Sequence, residues 1–186
     1  MTEPLRRGEG PWPVTNTEPA VSAWLHGRMR RVEDSERPAM VRWMLEHASG
    51  QPKGERLVHD FRWSESLLDR LAVWAERLNE GEPLQHVLGE AWFDGMRISV
   101  SPAVLIPRPE TEELVEALSR RLHIGTSRPL CIVDWCTGSG CIALALKRRH
   151  PQATVCGWDL STDALEVARA NAIQNNLSVD LSLIHI

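Results

Sequence analysis

Cys131-Ile-Val-Asp-Trp-Cys-Thr-Gly-Ser-Gly-Cys-Ile-Ala143 decides how the rest of this chain is read. A short β-branched run ends in Asp134, a loop with Gly138 and Gly140 follows, and Cys141 to Arg149 has helical character. The pattern predicts a strand, a tight glycine loop and a helix. Glycine has no Cβ, so such a loop can bend sharply and bring backbone N–H groups near a ligand, and a helix N-terminus favours a negative group. The stretch points to a nucleotide-like cofactor.

Downstream, Thr154 to Asp159 predicts a second strand, Thr162 to Asn175 a second helix and Val179 to Ile186 a third strand. Strands alternating with helices imply βαβ units and a parallel sheet, which makes the fold class α/β and Rossmann-like. Upstream, Leu105-Ile-Pro-Arg-Pro-Glu-Thr-Glu112 combines two rigid prolines with acidic residues that open an amphipathic helix over Leu114, Val115 and Leu118. Before it, Gly89 to Phe93 and Met96 to Val100 flank Asp94-Gly95, a dipeptide suited to a two-residue hairpin turn.

Further upstream the periodicity is helical. Val21, Trp24, Leu25 and Met29 mark one helix; Ser35 is placed to cap a second with Met40, Val41, Met44 and Leu45; Gly50 and Pro52 break the pattern. Ser64 precedes a third over Leu67, Leu68, Leu71, Trp74, Ala75 and Leu78. Trp24, Trp43, Trp63 and Trp74 fall at helical spacing and are expected in the core. The predicted organisation is a flexible leader over 1–19, a small helical domain over 20–82, a β-hairpin linker over 83–104 and a truncated Rossmann-like domain over 105–186.

The 186 residues allow one medium domain or two small ones, and 42% hydrophobic content suits a globular chain. A net charge of -4, with 21 basic residues spread along the chain, argues against nucleic-acid binding by charge. The four cysteines Cys131, Cys136, Cys141 and Cys156 form no C-x-x-C pair, so reduced, partly buried thiols are expected and no metal. No apolar run approaches the roughly 18 residues of a membrane span, and no leader peptide opens the chain. A cytoplasmic monomer is the expectation.

Gly138-x-Gly140-x-x-Ala143 formally satisfies a dinucleotide fingerprint, with Asp159 at a distance suited to a ribose carboxylate, so a nicotinamide cofactor is one reading. Asp134 at the strand's end argues for another. An acid there repels a pyrophosphate and suits a ligand with an ammonium group, such as the amino acid end of S-adenosylmethionine, leaving Asp159 for the ribose. As plain structure, Asp134 is a loop carboxylate and Asp159 a cap of the helix entered at Ser161.

Asp134-Trp-Cys-Thr-Gly-Ser-Gly-Cys-Ile-Ala-Leu-Ala-Leu146 resembles the cofactor motif of HemK-type peptide chain release factor glutamine methyltransferases. Gly81-Glu-Pro-Leu-Gln-His-Val-Leu-Gly-Glu90 resembles that family's interdomain segment, Leu105 to Glu112 its proline-arginine-proline signature, and Trp158-Asp-Leu-Ser-Thr-Asp-Ala-Leu-Glu-Val-Ala-Arg169 its second cofactor block. The resemblance runs from about Ala20 to Leu177. It departs at Cys136, where the family usually has glycine.

The resemblance implies S-adenosylmethionine as cofactor, with Asp134, Cys136, Thr137, Gly138, Ser139, Gly140 and Asp159 around it. It implies Pro107, Arg108, Pro109, Glu110 and Glu112 in a loop facing substrate or cofactor. The implied reaction moves a methyl group to the side-chain amide nitrogen of the glutamine in a release factor's Gly-Gly-Gln loop, with the release factor as protein partner. In the family an Asn-Pro-Pro-Tyr motif orients that amide. No Asn-Pro-Pro occurs in this sequence, so no catalytic residue is assigned, and the expectation is the inactive front part of a longer enzyme whose first strand is an unprotected edge. Two other readings stand beside it: a methyltransferase for a ribosomal protein or a nucleic-acid amino group, and a non-enzymatic helical interaction module.

Overall fold

A computed structural model of the chain describes residues 12–122 and 130–184. It divides into two compact units, Met1–Leu88 and Gly89–Ile186. Most of the expected leader lies outside the described residues.

The first unit is helical. α1 (Glu18–Arg28) starts two residues before the expected beginning of the helical domain at residue 20, with Pro19 in its first turn. α2 (Arg37–Ser49) is flanked by Glu36 rather than Ser35 and has no side-chain cap. Pro38 removes one of the N–H groups that a cap would take, so the turn forms without one. α2 ends at Gly50, whose φ of 68° is a left-handed cap. α3 (Lys53–Val58) and α5 (Leu84–Leu88) are short helices that the apolar spacing does not mark. α4 (Glu65–Asn79) is capped as expected: Ser64 Oγ accepts from the Leu67 N–H.

Val21, Leu25, Met29, Met44, Leu71 and Trp63 close the core of this unit. Trp43 does not join them. It is 39% exposed, because α2 turns Val41, Met44 and Leu45 inward and leaves position 43 on the outer flank. A charged pair lies inside instead: Arg56 from α3 reaches Glu18 at 2.7 Å, and the Trp63 indole N–H donates to the same carboxylate at 3.2 Å.

In the second unit β1 (Glu90–Phe93) and β2 (Met96–Ser99) form the expected antiparallel hairpin, with Asp94 and Gly95 at φ 50° and 69°. Its inward residues Phe93, Met96 and Ile98 share one core with Val115 of α6 (Pro109–Leu122), Leu144 of α7 (Cys141–Arg149) and Ala164 of α8 (Thr162–Gln174). The span 83–104 therefore contains α5 of the first unit and the hairpin packed within the second.

The remaining strands, β3 (Cys131–Trp135), β4 (Thr154–Asp159) and β5 (Asp180–Leu183), form a parallel sheet in the order β3-β4-β5, with α7 and α8 as crossovers. Of the expected strand over Val179 to Ile186, Val179 and Ile184 fall outside β5, and residues 185–186 lie outside the described residues. Ile132 and Val155 face the helices and are covered. Cys131, Val133 and Trp135 alternate to the other face and are exposed, Trp135 at 62%. Among the described residues β3 pairs with β4 alone, which leaves its other edge open. No described helix is long and apolar enough to cross a membrane.

Candidate functional site

The glycine loop joins the end of β3 to the start of α7. Cys136, Gly138 and Gly140 all have positive φ, at 60°, 55° and 78°. The left-handed backbone at 136 is the physical reason a glycine suits that position, and a cysteine there carries strain of about 1 kcal/mol. At Gly140 a Cβ would stand 3.2 Å from the Cβ of Ala168, so the bare glycine lets α8 approach the loop. At Gly157 on β4 a Cβ would be 2.8 Å from both Thr137 Oγ1 and a Leu181 methyl. Strand β4 must pass bare beneath the loop.

The loop's own N–H groups are largely spent inside the protein. The Thr137 N–H donates to the Trp158 carbonyl at 2.9 Å, the Gly140 N–H to the Thr137 carbonyl at 2.8 Å, and the Gly138 N–H to Asp159 Oδ2 at 2.8 Å. Asp159 also receives the Ser161 N–H at 2.9 Å on Oδ1, while the Ser161 hydroxyl caps α8 through the Ala164 N–H at 3.1 Å. The helix cap thus falls to Ser161, and Asp159 ties the glycine loop to the start of α8.

Asp134 accepts a hydrogen bond from the Thr137 hydroxyl at 2.7 Å. Burial pushes its carboxyl above the ordinary value, the hydroxyl and the backbone N–H of Ala143 pull it back, and nearby Asp159 adds to the rise. The anion that the N-terminus of α7 favours is therefore the protein's own Asp134. Neither Asp134 nor Asp159 has a cationic partner among the described residues. Two acids around a loop in which the Thr137, Gly138 and Gly140 amides are occupied make a site that repels a phosphate and attracts a positive or hydroxyl-bearing group.

The expected loop residues divide by direction. Asp134, Gly138 and Asp159 come together, whereas Thr137 and Ser139 are buried and serve the loop from beneath. Cys136 is exposed beside them, and Cys141 is buried, its thiol pushed up to about 11 mainly by burial. Both Cys131 and Cys136 are exposed rather than partly buried, because they lie on the uncovered sheet face and the outer turn. Pro107, Arg108, Pro109, Glu110 and Glu112 form the start of α6, where the Arg108 carbonyl accepts from the Thr111 N–H at 3.0 Å. Arg108, Pro109 and Glu110 are exposed, and no hydrogen bond or ion pair joins these three to the glycine loop among the described residues.

Residues 22–89 match the PrmC N-terminal domain family, and residues 132–185 match a Methyltransferase domain family. A release factor glutamine methyltransferase of Thermodesulfovibrio yellowstonii is 44% identical over 102 residues, covering 55% of this chain and 37% of that protein. Its counterpart in Neisseria gonorrhoeae is 38% identical over 146 residues, covering 76% of this chain and 51% of the relative. Over the part it spans, the chain is similar to release factor glutamine methyltransferases. It spans about half the length of these relatives or less.

The PrmC-type match falls on the helical unit up to Gly89, and the methyltransferase match falls on the parallel sheet with its glycine loop. Among solved structures, the tRNA (uracil-54, C5)-methyltransferase of Pyrococcus abyssi in complex with S-adenosyl-L-homocysteine superposes with a TM-score of 0.42 at 21% identity, over 52% of this chain and 23% of that one.

Spacing alone did not mark three residues of this architecture. Arg56 lies inside the helical unit, Gly157 beneath the loop, and Asn171 behind it. Asn171 had a legible signal: it follows Ala168 by three positions on the buried stripe of α8, where a polar side chain must find partners.

Proposed function

We propose that the second unit holds S-adenosylmethionine and that the protein takes part in methyl transfer to the glutamine amide of a release factor's Gly-Gly-Gln loop. The observation that carries the cofactor reading is the pair Asp134 and Asp159, placed around a loop in which the Thr137, Gly138 and Gly140 amides already have partners. Asp134 fits the cofactor's ammonium: it is a desolvated carboxylate without a cation, and a bound positive charge would offset its raised pKa. Asp159, fixed by two backbone N–H groups, keeps lone pairs for ribose hydroxyls. A nicotinamide dinucleotide fits less well, because its pyrophosphate would meet Asp134 and find few free N–H groups.

When bound, the cofactor supplies an activated methyl group on a sulfonium. The chain's own residues bind and orient it: Asp134 and Asp159 anchor two ends, Thr137 and Ser139 hold the turn from beneath, and the glycines allow close approach. We assign Pro107, Arg108, Pro109, Glu110 and Glu112 to a loop that meets cofactor or substrate, and the helical unit to recognition of the release factor. The names and matched regions of the relatives support this. No residue of this chain is given a catalytic role.

Calorimetry on the chain tests the reading. S-adenosylhomocysteine should bind, Asp159→Ala and Asp134→Asn should each weaken it at least about tenfold, as loss of a charge-assisted contact does, and NAD should not displace it. Absence of binding, or displacement by NAD, overturns the cofactor assignment. A titration of release factor into the cofactor-loaded chain tests the partner separately; absence of a complex overturns that assignment alone.

A further inference from the structure

Behind the glycine loop, the fully buried side chain of Asn171 uses its whole amide. Oδ1 accepts the Ser99 N–H at 2.6 Å, while Nδ2 donates to the Ser99 carbonyl at 3.0 Å and to the Ser139 carbonyl at 2.9 Å. Toward Ser99 the amide behaves like one residue of a neighbouring strand, completing both backbone hydrogen bonds of Ser99 on the outer edge of β2. Its second N–H reaches the middle of the glycine loop. One carboxamide therefore fixes the loop to the strand whose chain continues through Val100 and Val104 into the Pro107 to Glu112 loop.

Two neighbours, Gln174 at the end of α8 and Asn175 just past it, isolate this role. Gln174 and Asn175 each donate to the Arg97 carbonyl at 3.0 Å, so they also hold β2 against α8 but do not touch the glycine loop. They are exposed or half-buried, whereas Asn171 lies under the loop beside the Gly140–Ala168 contact.

We infer that Asn171 is a positioning residue for cofactor binding, setting the Ser139 carbonyl and thereby the turn between Gly138 and Gly140. It touches no cofactor and acts through the loop backbone. The inference rests on the cofactor reading above. Replacing the amide leaves the Ser139 carbonyl buried without its donor, so the turn gains alternatives and fewer molecules have it in the binding shape.

The test compares Asn171→Ser and Asn171→Ala with the double variant Gln174→Ala/Asn175→Ala, using S-adenosylhomocysteine as probe well below each variant's Tm. The Asn171 variants should lose about tenfold or more in affinity, the size expected when a group supporting a binding residue is removed, and their Gly138 to Cys141 amides should exchange faster with deuterium. The double variant should lose stability but keep affinity and loop protection. Asn171→Ser serves if Asn171→Ala does not fold. Unchanged affinity in Asn171→Ser, or an equal loss in the double variant, overturns the inference. If the unaltered chain binds no S-adenosylhomocysteine, the cofactor reading fails, and the exchange comparison alone decides: equal loop protection in all variants refutes the positioning role.

Discussion

Burial works against the charged form of Asp134. Its carboxyl binds a proton more tightly folded than unfolded, because burial penalises the charge. Its contribution therefore falls as pH rises from the ordinary 3.8 through the folded value, and the penalty is complete above that value. Asp134→Asn should leave stability at pH 7 equal or higher in urea denaturation while weakening S-adenosylhomocysteine. Its advantage should vanish near pH 4. A variant less stable at pH 7 would show that the carboxylate's hydrogen bonds outweigh its burial. At this scale the acids were legible because an acid at each strand end brackets the glycines. What they bond to was not: the sequence could not tell that Asp159 would take the Gly138 N–H, since that contact joins the loop after β3 to the end of β4. Gly157 was hidden for a similar reason, its need being set by Thr137 and Leu181.

Among the elements, those with strong local instructions were legible: α4 with its Ser64 cap, the Asp94-Gly95 hairpin, and the β3, α7, β4, α8 alternation. Helices α3 and α5 were not, since five or six residues give too little periodicity to distinguish from a loop. Nor did periodicity show how the hairpin is fastened. Asp94 at its turn meets Arg148 at 2.9 Å and is also bonded by Arg149, both at the end of α7. The hydrogen bond with Arg149, with charge attraction from both arginines, holds the Asp94 carboxyl below its ordinary 3.8. This contribution is present above that value and is lost as pH falls through the folded one. Asp94→Asn keeps a residue that tolerates the left-handed turn, and with both arginines partly exposed it should cost about 1–2 kcal/mol at neutral pH. The cost should shrink on acidification below 3.8. A pH-independent difference in chemical denaturation would assign the loss to the turn instead.

For the molecule as a whole, composition and pattern already separated a helical part from an α/β part, and each described unit has its own core. The buried Glu18–Arg56 pair lay beyond sequence reading because its members stand on α1 and α3, and α3 itself was not marked. The uncovered face of the parallel sheet has a colloidal consequence. Val133 and Trp135 are exposed on β3, and among the described residues no strand pairs with its other edge, so a second molecule can be templated there by strand addition. The chain should sediment as a concentration-dependent mixture, and Val133→Lys should shift it toward single molecules by placing a charge on that face. A sedimentation coefficient independent of concentration in the unaltered chain would refute this. If the chain associates in this way, work at high concentration needs a charged substitution on β3 to stay in solution, while Asp134 at the strand's end is left intact.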